Sequence, residues 1–204
     1  METPALTAQG TLRFGPLTPL SYPIMGPFAA LPGMECSHTV ASLYHRVDGC
    51  VTVNGREFRF DGGRGYLEGD RGTSFPREYL WTQGFFPGGS LVVSAARVPL
   101  GPIAFTGVIA AIRWRQKEYR LATYRGARAV TIQKGGLVIR QGRWELQARR
   151  LAPGGAALRA PVTGQMCRTI REQAAGPVHY RLRCGRHTVL DVTVPDASFE
   201  YACD

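Results

Sequence analysis

The chain has 204 residues, 44% of them hydrophobic, with 25 glycines and 14 prolines. This composition is typical of a globular, turn-rich protein and excludes a disordered one, and the length suits one large domain or two small ones. The formal net charge of +10 comes almost entirely from arginine. Because no run of five or six basic residues occurs, we expect no nucleic-acid partner.

Residues 1–33 are rich in proline and glycine, and only 10–17 could form a short strand. This pattern predicts an extended connector. It carries four large apolar side chains, namely Tyr22, Ile24, Met25 and Phe28. Exposed linkers seldom contain such groups, so we expect the connector to pack on the domain that follows, a single β-barrel-like domain spanning 34–204.

Strand signals dominate from residue 39 onward. The clearest is a hairpin at 50–60, where Asn54-Gly55 separates two alternating runs, because both turn residues need positive φ. We expect Asp61 to begin the turn that ends this hairpin. Further strands are predicted near 39–47, 91–98, 103–114, 118–124, 127–133, 137–140, 143–150, 162–166, 178–183, 189–194 and 198–201. One or two helical turns are predicted at 168–175. The fold class predicted is all-β, an antiparallel lipocalin-like barrel or sandwich of about ten strands with little helix.

The segment 65–83 differs from the rest of the chain and reads GYLEGDRGTSFPREYLWTQ. It concentrates acids, aromatic residues and hydrogen-bonding groups, and its glycines at 69 and 72 permit tight turns. Tyr79, Trp81 and Gln83 share parity on a strand and are expected to face one side, with Leu80 and Thr82 on the other. We interpret this segment as the functional centre.

The same segment carries a family resemblance. The pattern Y-x-E-x-x-x-G-x-S-F-P-x-x-[YW]-[LI]-W-x-Q resembles the signature of the tocopherol cyclase-like family, and the similarity runs from about residue 10 to the end. The matching residues are Tyr66, Glu68, Gly72, Ser74, Phe75, Pro76, Tyr79, Leu80, Trp81 and Gln83. Residues 34–38, 118–124, 168–172 and 199–201 also resemble elements of that family.

The resemblance implies acid-catalysed ring closure of a prenylated hydroquinone to a chromanol, without a cofactor. Such a reaction needs a protonated carboxylic acid, aromatic faces for a cation and a dry apolar pocket. Glu68 or Asp70 is the expected catalytic acid, with Glu35 as a second-rank choice. The expected substrate-binding residues are Tyr66, Ser74, Phe75, Tyr79, Trp81 and Gln83.

Structural interpretations of the same residues stay open. Phe75 and Trp81 fit a hydrophobic core, Glu68 fits a turn acceptor for backbone N–H groups, and His38 and His45 fit structural histidines. A non-catalytic, lipocalin-like module that binds a hydrophobic isoprenoid or lipid ligand is therefore the alternative function. Hydration of an isoprenoid alkene is a third interpretation, with water in place of the phenol.

Two departures from the family matter. Gly69-Asp70-Arg71 stands where plant and cyanobacterial members tend to have Lys-Asn-Trp, so an aromatic residue is lost. Members are also usually longer at the N-terminus, which leaves open a missing N-terminal half or a homo-oligomer that replaces it.

The five cysteines and four histidines show no metal-ligand spacing, so no metal site is predicted. Scattered, odd-numbered cysteines indicate reduced thiols and a cytoplasmic protein. No stretch of 18 apolar residues occurs, so no membrane span is expected. The positive charge and the apolar connector leave peripheral membrane contact open.

Overall fold

A computed structural model describes residues 2–3, 6–30, 34, 36–100 and 103–202. Glu35, the second-rank acid, lies outside them. Two short 3-10 helices occur, Gly26–Ala30 and Thr123–Arg125, and all other regular structure is strand. The strands are β1 Glu2–Thr3, β2 Leu6–Phe14, β3 Cys36–Val53, β4 Arg56–Gly72, β5 Tyr79–Phe86, β6 Gly89–Leu100, β7 Ile103–Trp114, β8 Lys117–Ala122, β9 Arg128–Gln133, β10 Gly136–Gln141, β11 Trp144–Arg150, β12 Ala156–Val162, β13 Gln165–Cys184 and β14 His187–Ala202.

The strands form two antiparallel sheets, which confirms the all-β class with little helix. The smaller sheet has the order β1-β2-β3-β4, and the larger has the order β8-β7-β6-β5-β14-β13-β11-β10-β9, with β12 added to β13. Most neighbours in the larger sheet are joined by short turns, as expected for an antiparallel meander. The exceptions are β5, which pairs with β14 at the end of the chain, and β11, which pairs with β13 although β12 lies between them in the sequence.

The larger sheet folds over a single core, so a sandwich describes it better than a closed barrel. Over the described residues no backbone ladder joins its end strands β8 and β9. The side chain of Gln141 on β10, the strand next to β9, contacts β8 instead. It accepts a hydrogen bond from the N–H of Ala122 at 3.0 Å and donates one to the carbonyl of Arg120 at 3.3 Å.

The largest side chains of this core are fully buried. They include Tyr180, Phe199, Leu91, Ile112, Leu121, Ile139, Leu146 and Leu182. Tyr180 keeps its hydroxyl satisfied by Thr82 Oγ1 at 2.5 Å, which a buried polar group requires. The described side chains inside the larger sheet therefore form a packed apolar core.

The chain divides into two compact units, each of which is described by itself. The first unit contains Met1–Leu20 and Val40–Gly69, and the second contains Ser21–Thr39 and Asp70–Asp204. In the first unit, the predicted hairpin turn is present, with φ of 47° at Asn54 and 81° at Gly55. Asn54 Oδ1 also accepts a hydrogen bond from the N–H of Thr7 at 2.8 Å, which attaches β2 to the turn.

Three local predictions are wrong. The stretch 162–166 is not one strand, because β12 ends at Val162 and β13 begins at Gln165. The stretch 168–175 is strand, because β12 and β14 pair with β13 on its two sides, and Ile170 is buried while Arg171 is exposed. The strand that begins at Arg56 does not end at the Asp61 turn but continues to Gly72, with φ of 68° at Gly62. Gly69 therefore lies within β4 rather than in a tight turn. Pairing with neighbouring strands overrides the last two local signals.

Candidate functional site

Strand β5 carries the end of the signature segment and presents two different faces. Leu80 belongs to the main core, and Thr82 bonds to Tyr180 within it. Tyr79 and Trp81 pack instead in a smaller apolar cluster. The alternation predicted from the sequence is therefore present. Phe75, Ala96, Ala160, Ile170 and Ala202 complete that cluster.

Tyr79 is held by a carboxylate from the far end of the chain. Its hydroxyl donates a hydrogen bond to Glu200 Oε1, and Glu200 lies opposite Trp81 in the β5–β14 ladder. Burial raises the pKa of Tyr79 well above its usual range, and the negative charges of Glu200 and Asp70 raise it further, against the opposing effect of Arg168. Tyr79 is thus a neutral hydrogen-bond donor at physiological pH.

Asp70, a candidate acid, is engaged by two side chains at the start of β3. His38 Nδ1 lies 2.9 Å from Asp70 Oδ1, and Cys36 Sγ donates to the same oxygen at 3.6 Å. The His38 side chain is 11% exposed and that of Asp70 is 34% exposed. Burial, the charge of Asp70 and this hydrogen bond together raise the pKa of the Cys36 thiol to about 12. Cys36 is therefore a protonated thiol rather than a nucleophile.

Glu68 and Tyr66, which belong to the first unit, form a pair of their own. They are two residues apart on β4 and so share a face. The Tyr66 hydroxyl donates to Glu68 Oε2 at 2.5 Å, and both residues are half-buried. The expected role of Glu68 as a backbone turn acceptor does not account for this contact, because its partner is a phenol on a continuous strand.

Gly65 and His45 show why the segment begins with a small residue. A side-chain Cβ at Gly65 would lie 2.3 Å from His45 Nε2, so only glycine leaves room for the imidazole. His45 is buried, lies 3.1 Å from Ser42 Oγ through Nδ1 and contacts the ring of Phe14. These contacts agree with the interpretation of His45 as a structural histidine.

The other predicted binding residues, Ser74, Phe75 and Gln83, differ in their contacts. Ser74 Oγ accepts a hydrogen bond from the N–H of Thr163 at 2.8 Å and so supports the turn between β12 and β13. Phe75 packs edge-on against Tyr79, with ring centroids 6.2 Å apart. Gln83 is 6% exposed, and within the described parts of the chain its Nε2 has no hydrogen-bond partner. An unsatisfied buried amide is a candidate contact for a ligand oxygen.

Two residues that contact predicted site residues, Glu200 and His38, were not themselves predicted as site residues. Glu200 lies 121 residues from Tyr79 along the chain, and no local pattern connects them. The only signal was the resemblance at residues 199–201. His38 was interpreted as structural, and its contact with Asp70 across 32 residues depends on how β3 and β4 are placed.

The grooves and the possible metal ligands add little to the description of the functional site. A groove of about 690 Å³ on the first unit has a mixed lining, which includes Arg13, Asp48, Phe60 and Asp61. Among the residues that the structure describes, no group of His, Cys, Asp or Glu could hold a metal ion. Across the same residues, no helix is long and apolar enough to cross a membrane.

Comparison with known proteins identifies the fold. No family model matches the sequence, and no curated protein matches it. Kievitone hydratase from Nectria haematococca has a similar structure, with a TM-score of 0.50 and 12% identity over 82% of this chain and 53% of that protein. A protein from Nitrosomonas europaea, described provisionally as an AttH, gives a TM-score of 0.47 at 12% identity, over 83% and 53% respectively.

The chain thus spans about half the length of these solved structures. At this identity, the likeness to kievitone hydratase concerns the fold alone. The molecule is an all-β protein whose fold is shared with a hydratase, and its signature segment is divided between two compact units.

Proposed function

We propose that the chain protonates a carbon–carbon double bond of a hydrophobic isoprenoid substrate, after which an oxygen nucleophile captures the cation. In the reaction implied by the resemblance to tocopherol cyclases, the nucleophile is the phenol of a prenylated hydroquinone. The carboxylic acid gives its proton to the alkene carbon, and the phenol oxygen bonds to the tertiary cation. The phenol proton then passes to the carboxylate, so a chromanol ring closes without net change in atoms and the acid is regenerated. With water as the nucleophile, the same first step hydrates the alkene, as the name of the fold neighbour suggests.

The observation that carries this proposal is the 2.5 Å hydrogen bond between Tyr66 and Glu68 on β4. The Tyr66 hydroxyl contacts Glu68 Oε2 and so holds the carboxyl group in one orientation, which a general acid needs. We therefore assign the proton-donor role to Glu68, with Asp70 as the second candidate.

Aromatic side chains are the second requirement. In the first unit, with Glu68 as the acid, the face of Tyr66 is the proposed stabiliser of the cation, a contact worth up to about 2 kcal/mol when desolvated. In the second unit, with Asp70 as the acid, Tyr79 and Trp81 have that proposed role, Ser74 and Gln83 are the proposed contacts for the substrate hydroxyl groups, and Phe75 is the proposed contact for its tail. The unsatisfied Nε2 of Gln83 supports its part of this assignment.

The test is turnover of a prenylated hydroquinone by the purified chain, followed by mass spectrometry in water enriched in ¹⁸O. We expect Glu68→Gln to lower turnover by about 100-fold or more, the usual contribution of a general acid. Ring closure incorporates no ¹⁸O into the product, whereas hydration incorporates one atom. Asp61→Asn is the matched control, because Asp61 lies on the same strand with its side chain 99% exposed.

Unchanged turnover in Glu68→Gln would show that Glu68 is not the acid. A chain that retains a bound prenyl lipid but converts none of the tested substrates would instead favour the non-catalytic binding module.

A further inference from the structure

A small cavity in the second unit lies far along the chain from the signature segment, and the proposed function does not use it. Its volume is about 160 Å³. Pockets for drug-sized ligands begin near 300 Å³, so this one suits a compact ionic group. It is lined by Arg140, Gly142, Arg143, Trp144, Glu145, Arg183 and Gly185.

Strand register explains why the charged residues meet. Arg140 on β10 is paired with Glu145 on β11, and Glu145 is paired with Arg183 on β13. The three side chains therefore form one row across three adjacent strands on the same face of the sheet. Arg140 Nε donates to Glu145 Oε2 at 2.8 Å, so the single carboxylate of the row is already engaged.

Two hairpin turns form the end of the cavity. Gly142 and Gly185 have φ of 53° and 59°, and the N–H of Gly185 donates to the carbonyl of Arg143 at 2.7 Å. A Cβ at Gly185 would lie 3.2 Å from Arg143 Nη2, so the glycine leaves room for the guanidinium group. The turns thus bring Arg143 to the same cavity as the row of Arg140, Glu145 and Arg183.

The positive charge of the cavity is only partly neutralised. Three arginines face one glutamate. Within the described parts of the chain, neither Arg143 nor Arg183 has a carboxylate at salt-bridge distance. Arg183 Nε is buried and has no hydrogen-bond partner there. The guanidinium groups of Arg143 and Arg183 therefore keep charge that an anion in the cavity can neutralise.

We propose that this cavity binds a phosphate-type oxyanion, with Arg143 and Arg183 as its main contacts. The planar guanidinium group offers paired donors that match phosphate oxygens. The anion could be free in solution or could belong to a lipid headgroup, and the chemistry of recognition is the same. This inference is independent of the catalytic proposal for Glu68.

The test is calorimetric titration of the full chain with inorganic phosphate at constant ionic strength. We expect Arg143→Gln and Arg183→Gln each to weaken binding by at least about tenfold, which corresponds to about 1.4 kcal/mol. Arg171→Gln is the matched control, because Arg171 is an exposed arginine on the same strand as Arg183 but outside the cavity. It should leave phosphate binding unchanged.

A second variant distinguishes loss of phosphate binding from loss of folding. Glu145→Gln removes the negative charge and frees Arg140, so it should tighten phosphate binding, which a purely structural role of the row would not produce. No phosphate binding by the native chain, equal weakening in Arg171→Gln, or no tightening in Glu145→Gln would each overturn the proposal. Competition between phosphate and phosphatidylcholine vesicles doped with phosphatidic acid would assign the anion to a headgroup, and competition by phosphate esters alone would assign it to a free anion.

Discussion

The Cys36 thiol, like that of Cys50, lies against a carboxylate. Asp70 Oδ1 accepts its hydrogen bond at 3.6 Å, whereas Cys167 is exposed. Burial is the larger cause of the raised pKa of Cys36, and Asp70 adds to it by disfavouring a second negative charge. The reactivity of this thiol therefore reports on whether Asp70 occupies the position described.

Asp70→Asn should accelerate alkylation of Cys36 by iodoacetamide at about pH 9. Without the carboxylate, the thiolate is less disfavoured, so the pKa of Cys36 falls from about 12 while burial keeps it above the ordinary value. Site-resolved mass spectrometry measures the rate, with Cys167 as the internal control. An unchanged rate at Cys36 would contradict the contact between Cys36 and Asp70.

The other residue-scale finding is that tyrosines hold two acidic groups of the chain. Tyr66 holds Glu68 within the first unit, and Tyr79 holds Glu200 within the second. The first pair is local, two positions apart on a strand, and the second is formed between strands distant in sequence. Only the first could be anticipated from the alternation of side chains.

At the scale of elements, strand β8 anchors the segment that precedes β3. The backbone and hydroxyl of Ser21 donate to Glu118, at 2.9 and 2.8 Å, and Arg120 donates to the carbonyl of Pro23 at 3.0 Å. Glu118 and Arg120 also pair with each other at 2.7 Å, with the Arg120 side chain only 2% exposed. The ring of Phe28 packs edge-on against Tyr124 nearby.

Glu118→Gln should destabilise the chain by about 3 kcal/mol, because it leaves the buried charge of Arg120 without its counterion. Urea unfolding at neutral pH measures the loss. The matched control is Glu145→Gln, which removes an ion pair whose arginine is 55% exposed and should cost no more than about 1 kcal/mol. Equal losses in the two variants would show that burial of Arg120 has no energetic consequence.

The pH dependence of this anchor follows from the pKa of Glu118. Burial alone would raise it, but hydrogen bonds from Ser21 and Arg120 and the charge of Arg120 outweigh burial and lower it. A lowered folded pKa means that the stabilisation is complete above about pH 4.5, the ordinary value, and is lost as the pH falls through the folded pKa. Glu118→Gln should therefore lose stability less steeply than the native chain below that pH.

For the whole molecule, stability depends chiefly on the core of the larger sheet. Tyr180 is fully buried there, and burial raises its pKa beyond the usual range of a phenol. Its partner, Thr82 Oγ1, also donates to the carbonyl of Ser198 at 2.7 Å. The Tyr180 hydroxyl on β13 is thus connected through Thr82 on β5 to the backbone of Ser198 on β14.

Tyr180→Phe should cost only about 1 kcal/mol, because it removes one hydrogen bond while Thr82 keeps another. Tyr180→Ala should cost about 3–5 kcal/mol, because it also leaves a large cavity. Thermal or urea unfolding of both variants checks the ratio. A Phe variant as unstable as the Ala variant would mean that the hydroxyl, rather than ring packing, holds this part of the core.

At the same scale, the chain spans about half the length of the hydratase that shares its fold. A homo-oligomer remains a prediction. So does peripheral contact with a membrane, to which the arginine-lined cavity would contribute if its anion is a lipid headgroup.

The amino-acid sequence by itself determined the features that depend on near neighbours. Alternation predicted the strands and the two faces of β5, and Asn54-Gly55 predicted the hairpin turn, because side-chain period and φ preference act over a few residues. The segment 168–175 was mispredicted as helix because local composition cannot reveal pairing on both sides.

Only the tertiary structure decided which acids have which partners. It brought Glu200 to Tyr79, His38 to Asp70, and Arg183 into one row with Arg140. These contacts depend on the order and register of strands that are far apart in sequence, and a register change of one residue would turn each side chain to the opposite face.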